Sequence, residues 1–414
     1  MGPADLGSLQ AGAAEVIPAD GLSEKLSLGR PLRVKLGLDP TAADVTLGWA
    51  VVLRKLRQFQ DAGHVAVLIV GDFTARVGDP SGRSDTRPGL DKEVVRAYAD
   101  RLLGQFWRIL DEARTEVRYN SDWLEAMDME AVLKLTASFT VARMLERDDF
   151  AKRYSKGRPI SILEFMYPLL QGMDSVAVQA DVELGGTDQK FNLLVGRELQ
   201  RDHGQDPQIA LTTPLLVGTD GLQKMSQSVG NYIAIGEDPN EMYGKLVRVP
   251  DELIPTYRRL TLDFFREPDE AERVAAALAD GSTDPWTEKR RMAREVVDLY
   301  HGGGAGHRTE AEFDRVHKQG HPPDQVRDIP VRRADVFVPS TAGARALDFP
   351  GVLQALGFVK SRSEARRLID QRGVKWNGEE LTSYDRAWDG PDDDLIGSIW
   401  QVGKRRFARI SGLS

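Results

Sequence analysis

Three hydrogen-bonding side chains recur at helical spacing in the segment from residue 160 to 174. Tyr167, Gln171 and Asp174 stand at i, i+4 and i+7 of this predicted helix, so they share one face. A phenol, an amide and a carboxylate on one face can together hold a polar ligand. The alternative is that Tyr167 belongs to the core and that the other two side chains are solvated. The helix alone leaves both interpretations open.

An element that could position such a ligand lies near the amino terminus. The pattern predicts a buried strand at Arg33–Leu38, a helix at Leu47–Ala62 that stops at Gly63, and a second strand at Val65–Val70. A strand, loop, helix and strand in this order open a nucleotide-binding α/β domain. The reason is that the loop leaves the carboxyl end of the strand and the helix amino terminus can face a phosphate.

Further loops of the same kind follow along the chain. A loop dense in glycine runs from Gly71 to Arg83, and Gly185–Gln189 ends a predicted strand at Ser175–Leu184. Ile209–Val217 is predicted as one more strand, and the loop Lys224–Ser228 follows it. Loops that leave parallel strands of an open α/β sheet are where ligands bind.

The composition restricts the class of protein. The chain has 414 residues and no cysteine, which excludes thiolate catalysis and cysteine metal sites. No apolar run approaches a membrane span and no signal-peptide pattern opens the chain, so we expect a cytoplasmic protein without membrane contact. A two-histidine metal site across His301–His307 is improbable, and no metal site is predicted.

The carboxy-terminal segment differs from the rest of the chain in charge. The whole chain carries a net charge of −8, but residues 345–414 hold 12 Lys and Arg against 10 Asp and Glu, a net of +2 that leaves −10 elsewhere. A capped helix in this segment carries Arg362, Arg366 and Arg367, and a hairpin signal follows at Gly373–Glu379. Both a surface for a phosphate backbone and an ordinary solvated face fit this pattern equally.

Taken in order, these stretches resemble bacterial tyrosyl-tRNA synthetases over nearly the whole chain. Any one of them is a weak signal, whereas their order and spacing together are specific. The matching pieces are Lys35–Thr41, Gly78–Arg83, the helix of Tyr167, Gln171 and Asp174, Gly185–Gln189, Lys224–Ser226 and the basic tail.

The resemblance implies an α/β fold with a Rossmann-like parallel-sheet catalytic domain that carries a helical insertion. An α-helical anticodon-binding-type domain and a small α+β RNA-binding domain follow it. The expected divisions are an amino-terminal extension at 1–30, the catalytic domain at 31–230 with its insertion at about 85–160, the helical domain at 231–335 and the last domain at 345–414. The insertion implies a homodimer, and the basic tail, with Arg362, Arg366 and Arg367, implies a contact with tRNA.

The implied chemistry has two steps. The tyrosine carboxylate attacks the α-phosphate of ATP to give tyrosyl-adenylate and pyrophosphate, and the terminal adenosine of tRNA then takes the tyrosyl group. Neither step needs a protein nucleophile, so catalysis depends on positioning and on donors directed at phosphate charge. ATP and Mg²⁺ are implied if this reaction persists.

The residues implied for tyrosine divide by the group they contact. Asp174 would accept the phenol hydroxyl, which is how the site would reject phenylalanine. Tyr167 and Gln171 would hold the α-ammonium group with help from Asp79. The remaining two expected contacts are Asp39, where tyrosine and nucleotide meet, and Gln189, near the reacting carboxylate.

The residues implied for the nucleotide include both matches and departures. Asp188 would hold the ribose hydroxyls, Thr41 the terminal phosphates, and Lys224 the leaving pyrophosphate. Gly48, Met225 and Ser226 belong to the two signature motifs. The first motif has Thr46 and Trp49 where the family has histidines, and the second has Gln227 where the family has a lysine. Arg76 stands where an apolar residue is usual and could replace part of the lost positive charge.

Three hypotheses follow from these departures. The first is a paralogue that keeps a tyrosine pocket and a tRNA-binding architecture but in which tyrosine adenylation is weak or lost. Its role would then be binding of tyrosine or tyrosyl-tRNA, or another acyl transfer. The second is a divergent but active tyrosine–tRNA ligase. The third is an RNA-binding or structural homologue without a site for a small molecule.

Overall fold

The fold comprises two compact units, residues 1–306 and 307–414. It is seen in a computed structural model, which describes residues 6–79, 91–262, 269–318, 326–339, 345–403 and 406–414. The predicted divisions at residues 30 and 230 are finer than these two units and stay predictions.

A parallel sheet forms the centre of the first unit. Its strands are β1 (Glu15–Ile17), β2 (Arg33–Leu38), β3 (Val65–Val70), β4 (Thr115–Tyr119), β5 (Val182–Gly186) and β6 (Ile209–Thr213). They lie in the order β1-β6-β5-β2-β3-β4, and all neighbours are parallel except β1 and β6. The chain order reverses between β2 and β5, which is the point where open α/β sheets bind ligands.

The helices of the first unit pack on both the sheet and one another. They are α1 (Leu6–Gln10), α2 (Gly21–Ser27), α3 (Leu47–Asp61), α4 (Thr74–Val77), α5 (Lys92–Phe106), α6 (Ser121–Leu124), α7 (Met129–Ala137), α8 (Val141–Met144), α9 (Asp148–Ser155), α10 (Ile162–Val178), α11 (Lys190–Asp202), α12 (Pro239–Leu246), α13 (Ile254–Thr261), α14 (Glu270–Ala279) and α15 (Pro285–His301). A further helix, α16 (Ala305–His317), crosses the boundary between the units.

The element that opens the sheet folds as predicted. β2 and β3 pair in register from Arg33 with Val65 to Leu38 with Val70, and the apolar side chains of both strands are largely buried. Thr46 caps α3 because its hydroxyl accepts a hydrogen bond from the Trp49 N–H, and the helix ends before Gly63, which has a φ of 92°. The helix amino terminus thus lies beside the carboxyl end of β2.

Helix α10 is longer than predicted. It begins with a capping box between Ser161 and Glu164, tolerates Pro168, and continues to Val178. The predicted strand at Ser175–Leu184 is therefore wrong in its first part, because Ser175 to Val178 are helical and Gln179 turns the chain with a φ of 49°. The predicted strand at Ile209–Val217 is too long at its other end. It stops at Thr213, before a proline that cannot donate to a ladder.

The amino-terminal segment, predicted only as an extension at residues 1–30, contributes a strand to the sheet. Residues 15–17 form β1, which pairs with β6 from Glu15 with Thr212 to Ile17 with Ala210. Three residues are too few for a pattern of alternating polarity to reveal a strand.

The second unit folds around its own core, which includes the fully buried Trp400. Its helices after α16 are α17 (Arg333–Val336), α18 (Phe349–Ala355) and α19 (Arg362–Asp370). Its strands are β7 (Arg327–Val331), β8 (Phe337–Val338), β9 (Ala346–Asp348), β10 (Val374–Trp376), β11 (Glu379–Glu380), β12 (Asp385–Ala387), β13 (Ile399–Val402) and β14 (Arg406–Leu413). They form a five-stranded sheet, β11-β10-β13-β14-β7, and a three-stranded sheet, β12-β9-β8. Across the described parts of both units, no helix is long and apolar enough to cross a membrane.

Candidate active site

A cleft of about 260 Å³ opens where β2 and β5 end. It brings together residues from five separate parts of the first unit. Every residue predicted for the tyrosine and nucleotide sites, except Arg76, lines it: Asp39, Thr41, Thr46, Gly48, Trp49, Asp79, Tyr167, Gln171, Asp174, Asp188, Gln189, Lys224, Met225 and Ser226. The switch point of the sheet and the motifs of the sequence thus coincide.

Asp174 supplies a buried carboxylate to one part of this cleft. Its residue is only 3% exposed, and its oxygens accept hydrogen bonds from Trp123 Nε1 at 2.9 Å and from Asn120 Nδ2 at 3.4 Å. Burial raises the pKa of Asp174 to about 7, although the charge of Lys35 and these two donors oppose the shift. A carboxylate held in this way keeps acceptor capacity for a ligand hydroxyl.

Asp39 and Tyr167 form a second polar group. Asp39 accepts hydrogen bonds from the Thr74 hydroxyl at 2.7 Å and from the Tyr167 hydroxyl at 2.9 Å. Burial raises the pKa of Asp39 to about 7, and burial together with the charge of Asp39 holds the pKa of Tyr167 well above its usual value. Tyr167 therefore stays protonated and donates a hydrogen bond to Asp39. Its hydroxyl oxygen can still accept a hydrogen bond from a cationic group.

Gly71 makes this arrangement possible. A Cβ at this position would lie 2.0 Å from Asp39 Oδ1 and 2.4 Å from Thr74 Oγ1, so any other residue would displace the hydrogen-bonded pair. The sequence shows Gly71 as part of a glycine-rich loop, but its reason is the close approach of Asp39 rather than a turn.

Two amides stand beside these groups. Gln189 Nε2 donates to Asp79 Oδ2 at 3.0 Å, and Gln171 Nε2 donates to Glu183 Oε1 at 3.1 Å. Together with Asp39 and Tyr167 they give this half of the cleft a high density of hydrogen-bond acceptors.

The other half of the cleft lies at the amino terminus of α3. Thr46 is 3% exposed and its hydroxyl is used as the helix cap, whereas Trp49 is half-buried and lines the cleft wall. At Gly48 a Cβ would meet Thr46 and Met225 only at ordinary contact distances of 3.5 and 3.6 Å. Packing therefore does not require a glycine here, and its effect is to keep the helix backbone open to the cleft.

The loop Lys224–Ser228 faces this helix. The Ser226 N–H donates to Asn231 Oδ1 at 2.8 Å, and Gln227 Nε2 donates to the Asp44 carbonyl at 2.6 Å. Lys224 pairs with Asp188 across the cleft. Among the cleft-lining residues that the structure describes, Lys224 is the one cation beside four aspartates.

Arg76 does not line the cleft. Its guanidinium pairs with Glu125 at 2.7 Å and lies 4.7 Å from the centre of the Phe73 ring. The structure thus engages Arg76 with a carboxylate outside the cleft, rather than where it would meet a phosphate. The motif Gly78–Arg83 lies outside the described residues from position 80 onward.

The three arginines predicted for RNA contact lie on α19 of the second unit. Arg366 and Arg367 are exposed, and Arg366 lies 5.3 Å from the centre of the Tyr384 ring. Arg362 is exposed as well but pairs with Asp348 at 2.9 Å. The helix therefore presents cationic side chains to solvent.

Several residues of the half around Asp174 and Tyr167, for which tyrosine is the expected ligand, were not predicted. Trp123 and Asn120 contact Asp174, and Glu183 contacts Gln171. Trp123 and Asn120 lie more than 50 residues from their partner along the chain, and a single glutamate in a buried strand carries no pattern that marks it. Among the described residues no cluster of His, Cys, Asp and Glu has the arrangement of a metal site.

Comparisons with known proteins agree with the fold and the cleft. The model of class I tRNA synthetases of the W and Y type matches residues 27–318, and the S4 domain model matches residues 352–387. The chain belongs to the bacterial tyrosyl-tRNA synthetase family. The two matched ranges lie mainly in the first unit and wholly in the second unit, respectively.

The relatives cover nearly the whole chain. The tyrosine–tRNA ligase of Moorella thermoacetica is 48% identical over 97% of this chain and 94% of its own length. That of Thermotoga maritima is 45% identical over 98% and 96%. Among solved structures, the tyrosyl-tRNA synthetase of Archaeoglobus fulgidus in complex with L-tyrosine has the same fold, with a TM-score of 0.61 at 23% identity over 73% of this chain and 98% of the other.

Proposed function

We propose that this chain is a tyrosine–tRNA ligase, which joins tyrosine to tRNA at the expense of ATP, and that its activation step is slow. The observation that carries the proposal is the set of buried acceptors in the tyrosine half of the cleft, with Asp174 and Tyr167 at its centre. Its 48% identity to the Moorella thermoacetica ligase supports the same reaction. We infer a cytoplasmic location from the same relationship.

In this proposal each side of the tyrosine molecule meets a different part of the cleft. The phenol hydroxyl donates to Asp174, and the ammonium group donates to Tyr167, Gln171 and Asp79. A phenylalanine side chain would leave the Asp174 carboxylate without its partner in a buried site, which is a large penalty. The two ends together select tyrosine by its hydrogen bonds rather than by its shape alone.

The activation step uses the other half of the cleft, between the amino terminus of α3 and the loop Lys224–Ser228. Bound tyrosine presents its carboxylate to the α-phosphate of ATP, and pyrophosphate leaves. Lys224 and Thr41 lie on the nucleotide side and supply donors for the phosphates, while Asp188 accepts from the ribose hydroxyls. Lys224 must leave its ion pair with Asp188 to do so. Magnesium would accompany the ATP phosphates, which are its usual ligands in such sites.

A second candidate function is favoured by one specific observation. Thr46, Trp49 and Gln227 stand where the family signatures have two histidines and a lysine. The side-chain amide of Gln227 already donates a hydrogen bond to the Asp44 carbonyl. Removing one preorganised donor to transition-state charge costs about 10² to 10³ in rate. A protein that binds tyrosine or tyrosyl-tRNA without making the adenylate, or that uses it in another acyl transfer, is the resulting alternative.

Tyrosine-dependent exchange between ATP and pyrophosphate tests the proposal. Exchange by the wild type that is lost in Asp174→Ala and in Lys224→Ala supports the ligase, and the two variants exclude a contaminating enzyme. Tyrosine binding by calorimetry without exchange favours the second candidate. Absence of both exchange and tyrosine binding would leave only an RNA-binding homologue.

We propose that α19 contacts tRNA through its exposed arginines. Arg366 and Arg367 are exposed on α19, so their guanidinium groups can neutralise phosphates. The double variant Arg366→Ala/Arg367→Ala should weaken tRNA binding and make its salt dependence shallower by about two counterions. Arg332→Ala, whose side chain pairs with Asp335, is the matched control. A salt slope equal to that of the wild type would exclude these arginines from the interface.

We also propose that the chain is a homodimer through its insertion. Met129, Leu133 and Val141, which lie on α7 and α8, are 72%, 61% and 63% exposed, and Ile162 at the start of α10 is 82% exposed. Apolar side chains exposed in this number within one segment are typical of an interface. Leu133→Glu/Ile162→Glu should sediment as a monomer, and a change at the similarly exposed Leu222 should not alter the mass.

A further inference from the structure

A chain of hydrogen bonds behind the cleft links four buried polar residues that the reaction itself does not use. Arg147, Asn192, Glu183 and Lys35 are all at most 5% exposed. Arg147 Nη1 donates to Asn192 Oδ1 at 3.1 Å. Asn192 Nδ2 in turn donates to Gln171 Oε1 at 2.9 Å and to Gln189 Oε1 at 3.2 Å.

Each branch of this chain ends on a carboxylate. Gln171 Nε2 donates to Glu183, which lies 2.9 Å from Lys35 in a buried ion pair. Gln189 Nε2 donates to Asp79. Arginine has only donors and an ionised carboxylate has only acceptors, so the ends of the chain impose its direction.

The direction fixes which atom of each amide points where. Because Arg147 can only donate, Asn192 must turn its oxygen toward Arg147 and its NH₂ group toward the two glutamines. Gln171 must then offer Asn192 its oxygen and turn its NH₂ group to Glu183. Gln189 likewise accepts from Asn192 through its oxygen and turns its NH₂ group to Asp79. With all the ends charged, flipping one amide would place two donors or two acceptors face to face.

The consequence is a cluster of acceptors at the cleft wall. The oxygens of Gln171 and Gln189 share one donor, so they lie close together, and each has a second lone pair. Both residues line the cleft, as does Asp79. A pair of freely rotating amides could present NH₂ groups instead, which would repel an ammonium ion.

We propose that Arg147, Asn192 and Glu183 are positioning residues that make this part of the cleft selective for the α-ammonium group of the amino acid, by locking the Gln171 and Gln189 oxygens toward it. The inference rests on the proposed function, because it takes tyrosine as the ligand. Lys35 contributes through its buried ion pair with Glu183. Lys35 and Glu183 are further held by Ser175, whose hydroxyl accepts from Lys35 at 2.7 Å and donates to Glu183 at 3.1 Å.

Selectivity between two ligands that differ in one group tests the proposal. The ligands are L-tyrosine and its α-hydroxy analogue, 3-(4-hydroxyphenyl)lactate, and the measurement is the Kd of each by calorimetry. The wild type should prefer tyrosine. Asn192→Leu should raise the Kd of tyrosine about tenfold or more and change that of the hydroxy acid by less than about threefold, since a hydrogen bond to a charged group is the stronger one.

A second variant and a control cover the case in which Asn192→Leu does not fold. Glu183→Gln is nearly isosteric and can both donate and accept, so it no longer imposes the orientation of Gln171, and it should lower the selectivity in the same sense. Ser175→Ala removes contacts to Lys35 and Glu183 without touching either glutamine, so its selectivity should equal that of the wild type.

The outcomes separate this inference from the proposed function. If Asn192→Leu and Glu183→Gln weaken both ligands equally, the residues are only structural and the inference is overturned. If the wild type binds tyrosine no better than the hydroxy acid, the inference is overturned as well. If the wild type binds neither ligand, the proposed function falls together with it. The inference is supported if selectivity for tyrosine is lost in Asn192→Leu and Glu183→Gln and is kept in Ser175→Ala.

Discussion

The two halves of the cleft differ in how completely their polar groups are held. In the tyrosine half, Asp174, Tyr167 and Gln171 each have hydrogen-bond partners that fix their orientation. In the nucleotide half, the polar groups contact one another instead: Lys224 pairs with Asp188, and Gln227 bonds to the Asp44 carbonyl. A site that is organised before its ligand arrives costs less to fill than one whose groups must first separate.

This contrast teaches that binding and activation can diverge within one cleft. The half around Asp174 and Tyr167 depends on a buried hydrogen-bond network that several elements share, so loss of one member disturbs the others. The nucleotide half depends on separate donors at a helix start and in one loop, each of which can change alone. Selection for binding can therefore preserve the first half while the second half varies.

The largest expected effect comes from restoring the family signatures in the nucleotide half. Thr46→His/Trp49→His/Gln227→Lys introduces the two histidines and the lysine that the family resemblance implies, and we expect the rate of tyrosine-dependent pyrophosphate exchange to rise by about 10² or more. The Kd of tyrosine should stay within about twofold, because these residues lie in the other half. Steady-state exchange and calorimetry measure the two quantities. A rate that does not rise would show that the contrast between the halves has another cause.

The next effect concerns the phenol end of the tyrosine half. Asp174→Ala should raise the Kd of tyrosine by about 10² because the phenol loses a buried, charged acceptor. The same change should leave the Kd of phenylalanine the same or lower it. Asp188→Ala, on the nucleotide side, serves as the comparison and should not alter tyrosine binding in the absence of ATP. Equal losses for tyrosine and phenylalanine would mean that Asp174 supports the fold rather than reads the hydroxyl.

A smaller effect should appear with pH. The pKa values of Asp39 and Asp174 are both about 7 because of burial, so both carboxyls take up protons as the pH falls below 7. The ionised forms bind the ligand, and we therefore expect the Kd of tyrosine to rise from pH 7.5 to pH 6 by roughly eightfold for each carboxyl that must be ionised, or about 70-fold for the two together. Calorimetry at pH 6 in buffers of different ionisation enthalpy should detect proton release on binding. A Kd independent of pH in this range would contradict these assignments.

The sequence predicts the elements that are long and uniform. The bounds of β2 and β3 are confirmed: β3 is a buried apolar run, and β2 alternates apolar residues with Arg33, Lys35 and Gly37. The apolar and β-branched residues that follow Ser175 predict a strand there. In the structure Ser175 lies on α10, where its hydroxyl contacts Lys35 and Glu183. A hydrogen bond between distant segments has no counterpart in local pattern.

The cleft residues also divide into those that the sequence predicts and those that it does not. Asp39, Tyr167 and Lys224 belong to motifs whose order specifies the family, so the sequence could place them. Asn192 and Glu183 lie in an ordinary helix and strand, and only the folded chain shows that they orient the amides. The ion pair of Arg76 could not be predicted either, because its partner Glu125 is remote in sequence.

The strand β1 has a consequence for handling the protein. It covers the outer edge of β6 with an antiparallel ladder, so the amino-terminal residues act as a border of the sheet. A chain shortened to begin at residue 31 would leave the backbone N–H and C=O groups along that edge of β6 without partners. Open edges of this kind pair with other chains, so the shortened protein would tend to aggregate through its sheet, and a soluble variant needs the first 30 residues.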